Sequence, residues 1–218
     1  MKHRRSETHN PSGSAAKGRS IQEDVTRAAQ IIRAGGIVAF PTESFYGLAV
    51  DAADDAAIRR LFDIKKRSRD QPVLILIPNV EVIDRYVVKI TSTARKLMTR
   101  FWPGGLTLVF RAAASVSPLL TAGTGRIGIR WSSHRLATEL AHAVGRPITG
   151  TSANLSGQPG CISASAVSGM LPGRLDFILD GGETEGGTGS TILDVTVDPP
   201  VILREGLVGT WELKGFWE

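Results

Sequence analysis

The sequence predicts an α/β fold of α+β-like character: a single domain with a twisted mixed β-sheet and flanking helices. Three observations carry this expectation. From residue 20 onward, short apolar runs of strand length alternate with amphipathic segments of helical period. No internal repeat and no linker divides the 218 residues. The composition, 42% hydrophobic and 22% charged, is that of a globular chain able to bury a core of its own.

The elements follow in order. Ser20-Ile21-Gln22-Glu23 has the spacing of a capping box, in which hydroxyl and carboxylate satisfy orphan backbone donors. Val25, Ala28, Ala29 and Ile32 then share one helical face, and Gly35-Gly36 ends the helix. Ile37 to Phe40 reads as a buried strand stopped by Pro41. Asp54 or Asp55 caps a second helix reaching about Lys65, with Ile58, Leu61 and Phe62 inward. Val73 to Ile77, between Pro72 and Pro78, reads as another buried strand. A helix from about Thr91 to Phe101, strands at 106–110 and 127–130, and a helix from about Ser133 to Val144 closed by Gly145 come next. A strand near Ile148 runs into a Thr/Ser/Asn/Gly loop and a short helix near 163–170. Strands near 175–179, 191–196 and 201–204 complete the ordered chain. Residues 1–19 read as a disordered basic tail, 20–208 as the domain and 209–218 as a C-terminal extension.

Composition narrows the function. The single cysteine, Cys161, excludes an intramolecular disulfide and a multi-thiolate zinc site. Aliphatic runs such as Val73 to Ile77 are far short of the ~20 residues of a membrane span. The first residues lack the apolar stretch of a signal peptide, so no membrane association and a cytoplasmic location are expected. The formal charge is +5, but Lys2, Arg4, Arg5, Lys17 and Arg19 against Glu7 place +4 of it in the tail. A body of +1 does not read as a nucleic-acid-binding fold.

Several motifs are missing or misplaced. There is no P-loop and no H-E-x-x-H helix. Gly123-Thr-Gly125-Arg-Ile-Gly128 matches G-x-G-x-x-G, yet a strand-like stretch follows it, so it reads as a tight turn. His3, His9, His134 and His142 form no ligand constellation, and Glu183 and Glu185 sit in a glycine loop as solvated charge.

Three polar segments stand at predicted strand ends. Arg59 to Asp70 carries six basic against two acidic residues, and Lys65 and Arg67 fall where its helix turns toward the strand after Pro72. Lysine as a point charge and arginine as a bidentate fork suit a polyphosphate. Gly150-Thr-Ser152-Ala-Asn154-Leu-Ser-Gly157 offers backbone and short side-chain donors to an anion or ribose. The glycine-rich stretch 181–191 is either a lid or a linker. Read from residues alone, this is a phosphate-handling α/β protein.

At these positions the sequence resembles the YrdC family, the threonylcarbamoyl-AMP synthases. The family's K-x-R and distant S-x-N correspond to Lys65, Arg67, Ser152 and Asn154. Phe40-Pro-Thr42-Glu43-Ser44-Phe-Tyr46-Gly-Leu48 is similar to its F-P-T-E-T-x-Y-G-L. Trp102 to Thr107, Gly128-Ile-Arg130, Gly189-Ser190-Thr-Ile192 and Ile202-Leu-Arg204 follow in order. The resemblance covers about Ser20 to Val208 and implies a short, single-domain YrdC-like enzyme with a concave ligand cleft, a nucleotidyltransferase. It implies that L-threonine, bicarbonate and ATP condense to threonylcarbamoyl-AMP with release of pyrophosphate. The product would serve threonylcarbamoyladenosine formation in tRNA beside the anticodon through a downstream transferase complex, with tRNA met only indirectly or weakly.

By position, Lys65, Arg67, Ser152, Asn154 and Arg204 are expected to hold ATP, with Lys65 and Arg67 catalytic. Thr42, Ser44, Arg130 and Ser190 are expected around threonine. Magnesium is expected with the triphosphate and no protein metal site is expected. The chain departs from the family pattern in three places. Ser44 replaces a threonine, Ser132 stands where many members have proline, and Leu76 where some longer members have a histidine. The chain also ends soon after Arg204, which implies no further C-terminal domain and a more open ATP site. The competing readings are an RNA-binding module of the same fold and an enzyme forming a related carbamoyl adenylate. Removing residues 1–19 is expected to leave threonine-dependent pyrophosphate release unchanged, measured on the truncated chain.

Overall fold

The computed structural model describes residues 20–217, and the basic tail at 1–19 lies outside the described residues. Helix α1 (Ile21–Arg33) starts at the expected capping box. Ser20 N–H donates to Glu23 Oε2 at 2.8 Å, and Glu23 N–H donates to Ser20 Oγ at 3.3 Å. Strands β1 (Val38–Pro41) and β2 (Tyr46–Ala49) form an antiparallel hairpin in which Pro41 pairs with Tyr46, so Pro41 ends the strand from inside it. Asp54 caps helix α2 (Asp55–Lys65) by accepting from the N–H groups of Ala56 and Ala57. Only two residues of the expected 73–77 strand, β3 (Ile75–Leu76), enter a regular ladder. Val73 and Ile77 donate instead to carbonyls of Leu120 and Arg130.

A 3-10 turn (Val80–Arg85) leads to α3 (Ser92–Phe101), capped by Thr91, and to β4 (Leu106–Arg111). A short α4 (Pro118–Thr121) and a turn with Gly123 and Gly125 at positive φ bring the chain into β5 (Arg126–Arg130). The G-x-G-x-x-G match is therefore a turn into a strand. Helix α5 (Arg135–Val144) ends at Gly145 in the left-handed region, as its sequence predicts. Strand β6 (Ile148–Thr149) precedes β7 (Thr151–Ser152), α6 (Ala164–Met170) and β8 (Phe177–Ile178). Strands β9 (Thr191–Asp194) and β10 (Val201–Arg204) follow. The extension folds back as α7 (Thr210–Lys214), which buries Leu213 in the core, and beyond it the Phe216 ring lies 5.5 Å from that of Phe101, tilted by 56°.

The strands divide between two mixed sheets rather than one, four in the order β7-β2-β1-β8 and six in the order β10-β9-β4-β5-β3-β6. Helices α1 and α5 pack Val25, Ala28, Ile32, Leu136 and Leu140 against Val38 and Phe40 of β1. The alternate residue of β1, Ala39, faces the larger core with Ile58, Leu61 and Phe62 of α2. The six-stranded sheet follows the same period. Leu106, Leu108, Phe110, Ile127, Ile129 and Leu193 fill that core, while the residues between them face away from it. Burying a large aliphatic side chain in such a core stabilises by roughly 1.5–3 kcal/mol. Leu140→Ala, at a fully buried position, is expected to cost about 2–5 kcal/mol in urea denaturation. Val88→Ala, at a position 68% exposed, is expected to stay within ~0.5 kcal/mol of wild type.

Candidate active site

The residues that alternate away from the core line a cavity of about 760 Å³. Strand β4 contributes Thr107 and Val109, β5 contributes Arg126, Gly128 and Arg130, and β9 contributes Ile192. Register keeps them together, since Val109 lies opposite Gly128 and Thr107 opposite Ile192. The facing wall comes from the smaller sheet. Its hairpin turn supplies Thr42 and Ser44, and the β7 edge supplies Thr151 and Ser152. Gly150 is required between the two walls, because a Cβ there would lie 2.7 Å from Leu74 Cδ1 and 2.9 Å from Leu76 Cγ.

Helix α2 delivers the K-x-R segment. It ends in a turn in which Lys66 N–H donates to Asp63 O and Arg67 N–H to Phe62 O, with Lys66 left-handed at φ +50°. That turn sends the two cations different ways. Arg67 faces the cavity and donates from Nη2 to Pro72 O at 2.8 Å. Lys65 is 1% exposed and lies behind the wall. Its ammonium donates to the carbonyl of Ser152, to Asn154 O at 2.8 Å and to Asn154 Oδ1 at 3.4 Å. Its own carbonyl accepts from Ser156 N–H at 2.9 Å, so α2 holds the Ser152–Ser156 loop from both ends of one residue. The Asn154 amide donates to the carbonyls of Leu155 and Gln158, leaving Ser152 Oγ donating to Asn154 Oδ1. Burial, and then Arg67 nearby, push the Lys65 ammonium down to about 8.

Arg130 ends β5, 5% exposed. Its Nη1 donates to Glu43 Oε1 at 2.9 Å, and the other oxygen of Glu43 accepts from Ser132 Oγ at 2.6 Å. Arg130 Nε is buried without a partner, and no acceptor among the described residues meets Nη2. An arginine that lines the cavity thus keeps donors of its fork without a protein acceptor. Burial lowers the Arg130 pKa, Glu43 opposes that shift, and Arg204 adds to it, so the two arginines share one electrostatic environment. Arg204 of β10 donates from Nη2 to Ser190 O at 2.7 Å. Ser190 Oγ is 2.8 Å from Thr107 Oγ1. The Thr42 hydroxyl donates to Phe45 O at 2.7 Å and accepts from Ser44 N–H at 3.3 Å. The Ser44 hydroxyl has no hydrogen-bond partner among the described residues, and its carbonyl accepts from Gly186 N–H at 2.7 Å.

Thr42, Ser44, Arg67, Arg130, Ser152, Asn154, Ser190 and Arg204 therefore meet on one cavity, and Lys65 stands beneath it. Leu76 is in the core cluster with α1 and α5. Sequence reasoning left out Glu43, whose position inside the Phe40–Leu48 segment was a usable signal. It also left out Arg126, which opens β5 and pairs with buried Asp194 at 2.8 Å. His134 stands at the N-cap position of α5 without a side-chain capping bond, and His142 is exposed. Among the described residues no cluster of histidine, cysteine and carboxylates could hold a metal ion, and no helix is long and apolar enough to cross a membrane.

The family model Sua5/YciO/YrdC, described as telomere recombination, matches residues 30–206. The chain belongs to that family. The threonylcarbamoyl-AMP synthase of Pyrococcus abyssi is 42% identical over 179 residues, which are 82% of this chain and 53% of that protein. The enzyme of the same name from Bacillus subtilis is 39% identical over 183 residues, 84% of this chain and 53% of that one. The crystal structure of P. abyssi Sua5 complexed with L-threonine matches with a TM-score of 0.88 at 39% identity, covering 91% of this chain and 58% of that chain. The chain thus spans about half the length of these relatives.

The Lys65 environment has a thermodynamic consequence. Its pKa is about 8 when folded against 10.5 for the free side chain, so between those values the unfolded chain binds more protons than the folded one. Stability contributed by this group therefore rises as pH climbs through that window and is flat below it. Urea denaturation at pH ~7 and ~10 should show the wild type gaining relative to Lys65→Met over the interval.

Proposed function

We propose that this cavity condenses L-threonine, bicarbonate and ATP to threonylcarbamoyl-AMP and pyrophosphate. The observation that carries the reading is buried Arg130, whose Nε has no protein acceptor and whose fork suits a carboxylate, lining the same cavity as Arg67 and Arg204. The relatives' names and the threonine complex of one of them support it.

Threonine presents its carboxylate to Arg130 Nε and Nη2, with the hydroxyls of Thr42, Ser44 and Ser190 around its polar groups. Its amine attacks the carbon of bicarbonate, water leaves, and an N-carboxylate forms. An oxygen of that carbamate attacks the α-phosphorus of ATP, and the bond to the β-phosphate oxygen breaks to release pyrophosphate. Negative charge builds on the phosphate oxygens, where Arg67 and Arg204 stabilise it. One such charge at ~4 Å and an effective dielectric of ~20 contributes roughly 4 kcal/mol before desolvation. Ser152 and Asn154 hold the nucleotide, and Lys65 serves it by keeping their loop in place and adding its charge from beneath. Magnesium arrives as part of the Mg–ATP substrate. Glu43 is committed to Arg130 and Ser132, and Asp194 to Arg126, which leaves the ion to phosphate oxygens and water. The product passes to a threonylcarbamoyl-transferase complex that modifies tRNA beside the anticodon, so tRNA is a partner only through that step.

Mass spectrometry of purified protein incubated with ATP, bicarbonate, magnesium and threonine should detect threonylcarbamoyl-AMP, with serine giving far less. Arg67→Ala should lower its rate at least about tenfold, ~1.4 kcal/mol of transition-state stabilisation. Formation of no adenylate by the wild type contradicts the proposal.

A further inference from the structure

We propose that Ser132 is a positioning residue that sets threonine affinity by deciding which edge of Arg130 faces the ligand. The inference rests on the reading of the cavity as a threonine site. Glu43 is the only carboxylate that Arg130 meets among the described residues, and it takes Nη1 alone, at 2.9 Å. A carboxylate beside an arginine gains most from the two-point fork, in which both oxygens accept parallel N–H bonds. Glu43 does not reach that arrangement because its second oxygen, Oε2, is held by Ser132 Oγ at 2.6 Å.

The direction of that bond is set by its surroundings. Ser132 is 2% exposed, and its hydroxyl oxygen already accepts from His134 N–H at 3.2 Å. Its carbonyl accepts from Thr138 Oγ1 at 2.9 Å, which ties the residue to the first turn of α5. With the amide on the lone-pair side, the O–H points at Glu43. The carboxylate is therefore stretched between one neutral and one charged donor, and the Nε–Nη2 edge of Arg130 stays without a protein acceptor. Removing the hydroxyl leaves Oε2 without its partner in a site where Glu43 is 14% exposed. The carboxylate then gains by turning onto the open fork, where it competes with the ligand's carboxylate for the same donors. Among the described residues neither Ser132 nor Glu43 hydrogen-bonds Arg67, Arg204, Ser152 or Asn154, so the effect should fall on threonine rather than on ATP.

The test is titration calorimetry of L-threonine into wild type, Ser132→Ala and Ser132→Thr, with adenylate formation followed in parallel. Ser132→Ala should weaken threonine binding and raise its KM about tenfold, with kcat and the ATP KM unchanged, in line with loss of a hydrogen bond to a charged group. Ser132→Thr keeps the hydroxyl and should restore affinity to within about twofold. In a Glu43→Gln background, where no carboxylate competes, Ser132→Ala should add no further loss. Wild-type affinity in Ser132→Ala, equal loss in kcat and the ATP KM, or failure of Ser132→Thr to rescue overturns the role of Ser132 while leaving the threonine site standing. Absence of threonine binding by the wild type overturns both.

Discussion

The site depends on the two-residue period of the strands in the six-stranded sheet. Leu106, Leu108, Phe110, Ile127, Ile129 and Leu193 are drawn to one side by burial. Thr107, Val109, Arg126, Gly128, Arg130 and Ile192 are thereby delivered to the other, where they make a cavity instead of a second core. A slip of β5 by one residue would turn Ile127 and Ile129 to the cavity side and Arg126, Gly128 and Arg130 to the core, so the energy that holds the register also holds the cavity. Hydrophobic packing on one face is thus the cause of polar convergence on the other.

The cavity is also a place where cations are kept under strain of solvation rather than of geometry. Arg130 and Lys65 are both withdrawn from water, and both have their pKa values pushed down by that withdrawal. Each is held by oxygen acceptors: Arg130 by one oxygen of Glu43, and Lys65 by carbonyls of the loop that it organises. Their roles differ because their acceptors do. The Lys65 ammonium has three acceptors around it and acts on the loop, while Arg130 retains an unused buried N–H and can act on a ligand.

Much of this was legible in the chain because it rests on local rules. The Ser20 capping box, the Asp54 and Thr91 caps and the Gly145 stop are each written within a few residues, and each is present. The hairpin strand β2 was not foreseen, because Tyr46-Gly-Leu-Ala directly follows the Pro41–Ser44 turn with no punctuation of its own. The 73–77 segment is short as a ladder because its flanking donors go to α4 and β5, which are distant in sequence. The site residues could be named from motif spacing, but their division of labour could not. That Lys65 turns beneath the loop while Arg67 turns outward follows from a left-handed Lys66, a conformation uncommon for a side chain of that size and one that composition does not announce. Likewise the Glu43–Arg130–Ser132 chain joins residues nearly ninety positions apart, and only the fold makes them neighbours.

The claim that one face of this sheet brings a carboxylate site and a triphosphate site into a single cavity is tested most directly by a crystal structure with L-threonine and a non-hydrolysable ATP analogue bound together. The threonine carboxylate should sit on Nε and Nη2 of Arg130 with Glu43 still on Nη1, and the phosphates between Arg67 and Arg204. A structure with either ligand outside this cavity, or with Glu43 occupying the Arg130 fork while threonine lies elsewhere, would contradict it.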